Sequence, residues 1–148
     1  PQPAGRPGCV SRAFEPPPGR QVFSRSFTPS ASDIDANGHV NNVVYLGWAQ
    51  DLAIAHWDSA ASAPETETLA WVALRHEVDY RRALLPGETA LGRTWVSDKA
   101  EGPRFDRFVR IDSPDGAMCA QVRTVWCLIE RATGRPRRVP AELIARFG

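Results

Sequence analysis

The chain has 148 residues, 43% hydrophobic and 24% charged, a balance that excludes general disorder and suffices for one core without a disulfide or metal staple. Its formal net charge of +1 excludes the concentrated positive field that nucleic-acid and membrane-surface proteins need, so any basic patch is local. No apolar run approaches the roughly twenty residues that span a bilayer, and three cysteines without a CxxC pair point to a reducing cytoplasm.

Residues Pro1 to Gly19 hold six of the thirteen prolines and show no periodicity, which marks 1–19 as a flexible leader ahead of one domain over 20–148. Gln21 to Thr28 (QVFSRSFT) reads as a strand stopped by Pro29. From Asn42 to about Asp58 the chain runs without proline through helix formers, and Asn42 is a favoured N-cap. At 100° per residue Val43, Val44, Leu46, Trp48, Leu52, Ile54 and Trp57 spread around nearly the whole circumference, which predicts a helix buried on most sides.

ASAPETET, residues 61–68, reads as a loop. Four strand-like runs follow, at about Leu69 to Arg82, Glu88 to Ser97, Arg104 to Asp112 and Ala117 to Glu130, separated by turn chemistry such as Pro86-Gly87 and Pro114-Asp115-Gly116. In the last run Met118, Ala120, Val122, Thr124, Trp126 and Leu128 alternate with Gln121 and Arg123, the period of a sheet with one dry face. Cys119 and Cys127 fall on that run roughly 26 Å apart at strand rise and cannot pair. Pro140 to Phe147 has the makings of a short terminal helix. The order predicts an α+β domain in which a strand and a four-stranded antiparallel meander wrap around one long central helix. No internal repeat divides it.

Asp33 to Trp48 reads DIDANGHVNNVVYLGW and gathers two carboxylates, three asparagines, a histidine and a glycine in front of the helix. This run resembles the signature of hotdog-fold thioesterases, in particular the acyl-ACP thioesterases and the 4-hydroxybenzoyl-CoA thioesterase family. Asp35, Asn37, His39, Val40, Asn41, Asn42 and Tyr45 match it position by position, and VDYRR at Val78 to Arg82 is similar to a second acyl-ACP thioesterase segment. The similarity covers roughly Gln21 to Val139. It implies a single hotdog domain, an antiparallel five-stranded sheet around one helix, that hydrolyses acyl-CoA or acyl-ACP as a homodimer or dimer of dimers without a cofactor.

Thioester hydrolysis needs a nucleophile or a base for water, a donor for the developing oxyanion, and limited bulk water. A helix start offers free N–H groups and the positive end of the macrodipole, so the amides of Asn42 or Val43 would polarise the carbonyl. Asp35 would attack that carbonyl or deprotonate water. By the resemblance, Asn37 would hold the carboxylate or substrate and His39 would relay the proton.

Where acyl-ACP thioesterases commonly carry a catalytic glutamate after Asp-Tyr-Arg-Arg, this chain has Ala83. Other hotdog branches place the acid on the helix about eight residues after the oxyanion donor, which makes Asp51 the second-choice carboxylate. Arg135, Arg137 and Arg138 are the densest positive cluster and suit coenzyme A phosphates or an acidic carrier protein.

Other readings use the same residues. Asp33, Asp35 and Asn42 also suit an Asx turn and a helix cap. Asp33, Asp35 and His39 on one glycine-containing loop, with no second cluster, do not make a metal site. An enoyl-thioester hydratase or dehydratase of the same fold spaces its aspartate and histidine five apart around a proline, whereas Asp35 and His39 are four apart with none. A non-catalytic acyl-CoA-binding protein would fit the alanine at position 83.

Overall fold

Residues 14–148 are described by a computed structural model. Its elements are β1 (Phe23–Phe27), a single 3-10 turn (Ala31–Asp33), α1 (Asn42–Ala60), α2 (Ala63–Thr68), β2 (Leu69–Tyr80), β3 (Ala90–Glu101), β4 (Arg104–Asp112), β5 (Met118–Glu130) and α3 (Ala141–Arg146). One five-stranded antiparallel sheet packs its dry face on α1, in the α+β arrangement that the resemblance implies.

The strand order is β1-β3-β4-β5-β2, so β3, β4 and β5 form the expected meander but β2 pairs with β5 and not with β3. Residues 81–89 carry the chain from one edge across the end of the sheet, a traverse of about 14 Å at ordinary strand spacing. A simple meander fails because the segment is long enough to cross and because Leu84, fully buried within it, is drawn into the core beside α1.

Only one stripe of α1 is buried: Tyr45, Trp48, Ala49, Leu52, Ala53, His56 and Trp57, at helical spacing. Val43 is 72% and Ile54 56% exposed, so the expected burial on most sides does not hold within one chain, where the sheet covers a single face. Close packing of that face is permitted at Gly92 of β3, where a Cβ would stand 2.6 Å from Leu52 Cδ1.

The segment 61–68 is helical at Ala63–Thr68, not a loop, because Ser62 and Glu65 close a capping box with each other. Glu65 is further gripped by Arg146 of α3 at 2.6 and 2.9 Å, which ties the end of the chain to this turn. Two residues from the expected leader are also anchored: Phe14 packs on Trp95 and Phe108, with centroids 5.6 and 5.9 Å apart, and Glu15 bonds Arg93 and Arg110. An aromatic ring and a carboxylate find partners on the outer face of the sheet there; the rest of the expected leader, residues 1–13, lies outside the described residues. Among the described residues no helix is long and apolar enough to cross a membrane. Cys119 and Cys127 are buried and unpaired.

Candidate active site

The loop before α1 is a narrow turn closed by a bridge between Ile34 and Val40. The Asp35 N–H donates to the His39 carbonyl at 2.9 Å and the Gly38 N–H to the Asp35 carbonyl at 3.0 Å, with Gly38 at φ 78°, a region that favours glycine. Asp35 Oδ1 accepts from the N–H groups of Asn37 (2.9 Å) and His39 (3.3 Å). The carboxylate is thus aimed by peptide groups, an Asx turn, and its Oδ2 makes no hydrogen bond among the described residues. Asp35 is half-buried, while Asn37 and His39 are exposed. What the turn brings to the carboxylate is their backbone; neither the Asn37 amide nor the His39 imidazole bonds it.

Asn41, not Asn42, caps the helix: its side chain accepts the Val43 N–H at 3.0 Å. The Val43 amide is therefore engaged, which removes it as a free oxyanion donor, whereas the Asn42 N–H has no partner among the described residues. The loop is pinned from both sides, by the Asn41 N–H on the Asp33 carbonyl (2.8 Å) and the Val40 N–H on the Leu84 carbonyl (3.0 Å).

Tyr45, 1% exposed, accepts the Leu84 N–H on its hydroxyl at 2.9 Å, so helix, loop and crossover meet at one peptide unit. Burial pushes the Tyr45 phenol above its ordinary pKa. Tyr45→Phe strands a buried N–H and is expected to lower unfolding free energy by about 1–3 kcal/mol, read by urea titration. Within VDYRR the residues serve structure: Asp79 accepts from Gln121 (3.0 Å), the Tyr80 hydroxyl donates to the Asn42 carbonyl (3.1 Å), and Arg82 pairs with Asp115 (2.8 Å). Ala83 is exposed.

Asp51 is exposed and lines a shallow groove with Arg25, Phe27, Ile54, Ala55 and Asp58, about 14 Å along α1 from Asn42 at helical rise. Arg135, Arg137 and Arg138 are exposed and form no ion pair among the described residues. They follow β5 at the end where Arg131 bonds the carbonyls of Thr66 and Thr68, next to the C-terminal end of α1. Asp35 sits at the other end of the helix, so one chain does not bring the carboxylate and the arginines together. Among the described residues no group of three His, Cys, Asp or Glu side chains is arranged to hold a metal.

A cavity of about 480 Å³ lies under the C-terminal half of α1 and does not include Asp35. Trp57, Trp71, Phe105 and Phe147 wall it, and Arg107 and Trp126 also line it. Above it a polar layer crosses the core. The Arg107 guanidinium donates from Nη1 to His56 Nδ1 (2.9 Å) and to Thr94 Oγ1 (3.0 Å), and His56 Nε2 donates to Gln21 Oε1 (2.7 Å). Burial first, and Arg107 second, push the His56 pKa down to about 3, so the ring is neutral and donates through Nε2 alone. Burial also pushes Arg107 down to about 9, which leaves it charged at neutral pH. Neither residue stood out in the sequence; the one signal for Arg107 was its place in the inward alternation Phe105, Arg107, Val109, Ile111 of β4.

Residues 29–147 match the family model of the thioesterase-like superfamily. A palmitoyl-acyl carrier protein thioesterase of Cuphea hookeriana chloroplasts is 29% identical over 103 residues, 69% of this chain and 22% of that protein, so the chain spans about a fifth of that relative's length. Among solved structures, a thioesterase from Thermus thermophilus complexed with coenzyme A and Zn superposes with a TM-score of 0.75 at 24% identity, covering 88% of this chain and 93% of that one. A predicted thioesterase from Bacillus stearothermophilus gives 0.73 at 23% identity over 85% and 93% of the two chains. These likenesses show the hotdog fold, and the match over residues 29–147 places the chain in the thioesterase-like superfamily.

Proposed function

We propose that this chain hydrolyses acyl thioesters of coenzyme A or acyl carrier protein, with Asp35 as the reacting carboxylate. The observation that carries the reading is the Asp35 carboxylate, fixed at Oδ1 by two peptide N–H groups, in the loop that leads to the helix-start N–H of Asn42; among the described residues neither Oδ2 nor that N–H has a hydrogen-bond partner. As a base, Asp35 takes a proton from water, whose oxygen adds to the thioester carbonyl. The resulting oxyanion is stabilised by the Asn42 N–H and the helix start. Collapse breaks the carbon–sulfur bond, and the thiolate leaves with a proton relayed by His39. As a nucleophile, Asp35 would form an acyl anhydride that water then opens, with the same products. Asn37 supports either route through the N–H it gives to Asp35.

The chain acts as a homodimer in this reading, and a dimer of dimers extends it. β2 is twelve residues long, is paired on one side only, and exposes Val72, Leu74 and Tyr80. Such an edge is satisfied by a second copy. Antiparallel pairing of two β2 strands sets the Tyr80 end of one copy beside the Leu69 end of the other. The partner's catalytic turn then approaches the cavity and Arg135, Arg137 and Arg138, whose guanidinium groups would hold the phosphates of coenzyme A or the acidic face of a carrier protein. Leu74→Glu places like charges across that seam, and sedimentation is expected to show the 16.3 kDa monomer in place of the dimer. We place the protein in the cytoplasm, where the buried thiols Cys119 and Cys127 stay reduced.

Thiol release from a panel of acyl-CoA esters tests the activity. Wild-type protein that binds acyl-CoA but frees no thiol at any chain length would instead be a binding protein, the role that Ala83 favours. Loss of activity in Asp51→Asn with survival in Asp35→Asn would move the site to the helix.

A further inference from the structure

The cavity beneath α1 holds a charge that nothing among the described residues answers. Arg107 is 7% exposed, and all its hydrogen-bond partners are neutral: His56, fixed as the acceptor by its bond to Gln21, and the Thr94 hydroxyl, which itself donates to the Phe108 carbonyl at 2.8 Å. No carboxylate pairs with Arg107 among the described residues, and its Nε and Nη2 donate to none of them. Asp58 lines the cavity rim, exposed, without an ion pair to the guanidinium. Trp126 also lines the cavity, and its buried Nε1 has no hydrogen-bond partner among the described residues.

Arg107 thus lies in a cavity walled mainly by aromatic and aliphatic side chains, with Gln50, Asp58, Thr66 and Arg131 also in its lining. Apolar walls with a few convergent polar groups are the make-up of a small-molecule site, and about 480 Å³ lies within the usual range of such clefts. A saturated hydrocarbon tail would fill the volume and leave the guanidinium unanswered. A carboxylate would accept from the guanidinium and supply the missing negative charge, and the guanidinium fork suits it in geometry.

We propose that the cavity receives an acyl group whose far end is a carboxylate, so that the favoured substrates are monothioesters of dicarboxylic acids, with Arg107 and the Trp126 N–H as the determinants of that choice. The inference rests on the thioesterase reading for turnover, but binding reports on it separately. The apolar walls hold the methylene chain between the thioester and the terminal acid.

The test compares adipyl-CoA with hexanoyl-CoA and suberyl-CoA with octanoyl-CoA, pairs matched in carbon number, in both kcat/KM and calorimetric binding. Wild type is expected to prefer the diacid esters by about tenfold or more, since a site built around polar donors rejects an analogue that leaves them unpaired. Arg107→Gln is expected to bring that ratio close to one, and Arg107→Lys to keep part of it. Trp126→Phe, which removes the N–H and keeps the ring, is expected to lower the ratio about threefold, in line with one lost hydrogen bond. If Arg107→Gln does not fold, the lysine and phenylalanine variants still decide the matter. If wild type hydrolyses nothing, the thioesterase reading fails, while binding of adipyl-CoA against hexanoyl-CoA still judges the cavity. Equal or weaker binding and turnover of the diacid esters by wild type would overturn the proposal, as would a ratio unmoved by all three variants.

Discussion

Asp35→Asn is expected to lower kcat by about 10²–10⁴-fold, the range over which a positioned base contributes, with little change in stability. The substitution is chosen because the turn needs an acceptor at Oδ1, and the asparagine carbonyl supplies one to the N–H groups of Asn37 and His39 just as the carboxylate does. Charge and proton affinity at Oδ2 are removed while the turn stays. Unfolding free energy should move by no more than about 0.5 kcal/mol, as for a partly exposed substitution without a packing change. Asp35→Ala would confuse the two effects, since it also leaves both N–H groups without their acceptor. Asp51→Asn, on the exposed face of α1, provides the contrast and is expected to retain kcat within about twofold, because Asp51 lies about 14 Å along the helix from Asn42. A normal kcat in Asp35→Asn would rule out both the basic and the nucleophilic role.

Mild acid is expected to destabilise the fold before any carboxylate contributes. The His56 ring has a folded pKa near 3 against an ordinary value of 6.5, so between those limits the unfolded chain binds a proton that the folded one excludes. With the folded pKa the lower of the two, the stabilisation is fully present above about pH 6.5 and is lost as pH falls toward 3. The slope is about 1.4 kcal/mol per pH unit for one proton. The surroundings enforce this: Arg107, Thr94 and Gln21 bond or back the ring, and Phe23 and Phe147 pack on it at 5.0 and 4.9 Å.

The carboxylates act in a lower window. Arg146 holds Glu65 near 2 against an ordinary 4.5, and Ser113 with Arg82 holds Asp115 well below the carboxylate range. Their contributions are present above the unfolded values and vanish only below about pH 4.5. Urea unfolding between pH 6.5 and 4.5 therefore reads His56. His56→Gln, which does not titrate, is expected to flatten the slope; a wild-type profile already flat there would contradict the neutral buried ring.

Much of the fold was legible because its signals were local. β4 begins and ends where its turns predict, Arg104–Asp112, and the alternation of β5 identified its dry face, where Ala120, Val122 and Leu128 are fully buried. Pairing was not legible: β2 joins β5 across residues 81–89, and nothing in the residues of a strand names its neighbour. The helix at Ala63–Thr68 was written as Ser62 and Glu65 but hidden behind Pro64, which reads as a breaker unless it stands in the first turn. At the site, the motif showed where the chemistry-bearing residues lie without showing their division of labour. Val40 and Tyr45 are core, Asn41 is the cap, and Asp35 takes its support from the peptide backbone. Arg107 and His56 were opaque because they are isolated in sequence and meet only after β4 packs on α1.

Leu84 ties the crossover to both the helix and the loop before it through its own N–H and carbonyl. A systematic replacement of side chains would pass over position 84 and find at most a hole in the packing, since every residue except proline brings the same donor and acceptor. The knot would show itself only at its far end, on the tyrosine hydroxyl. Cutting it at position 84 calls for proline, an extra residue spliced into the crossover, or an ester in place of the amide.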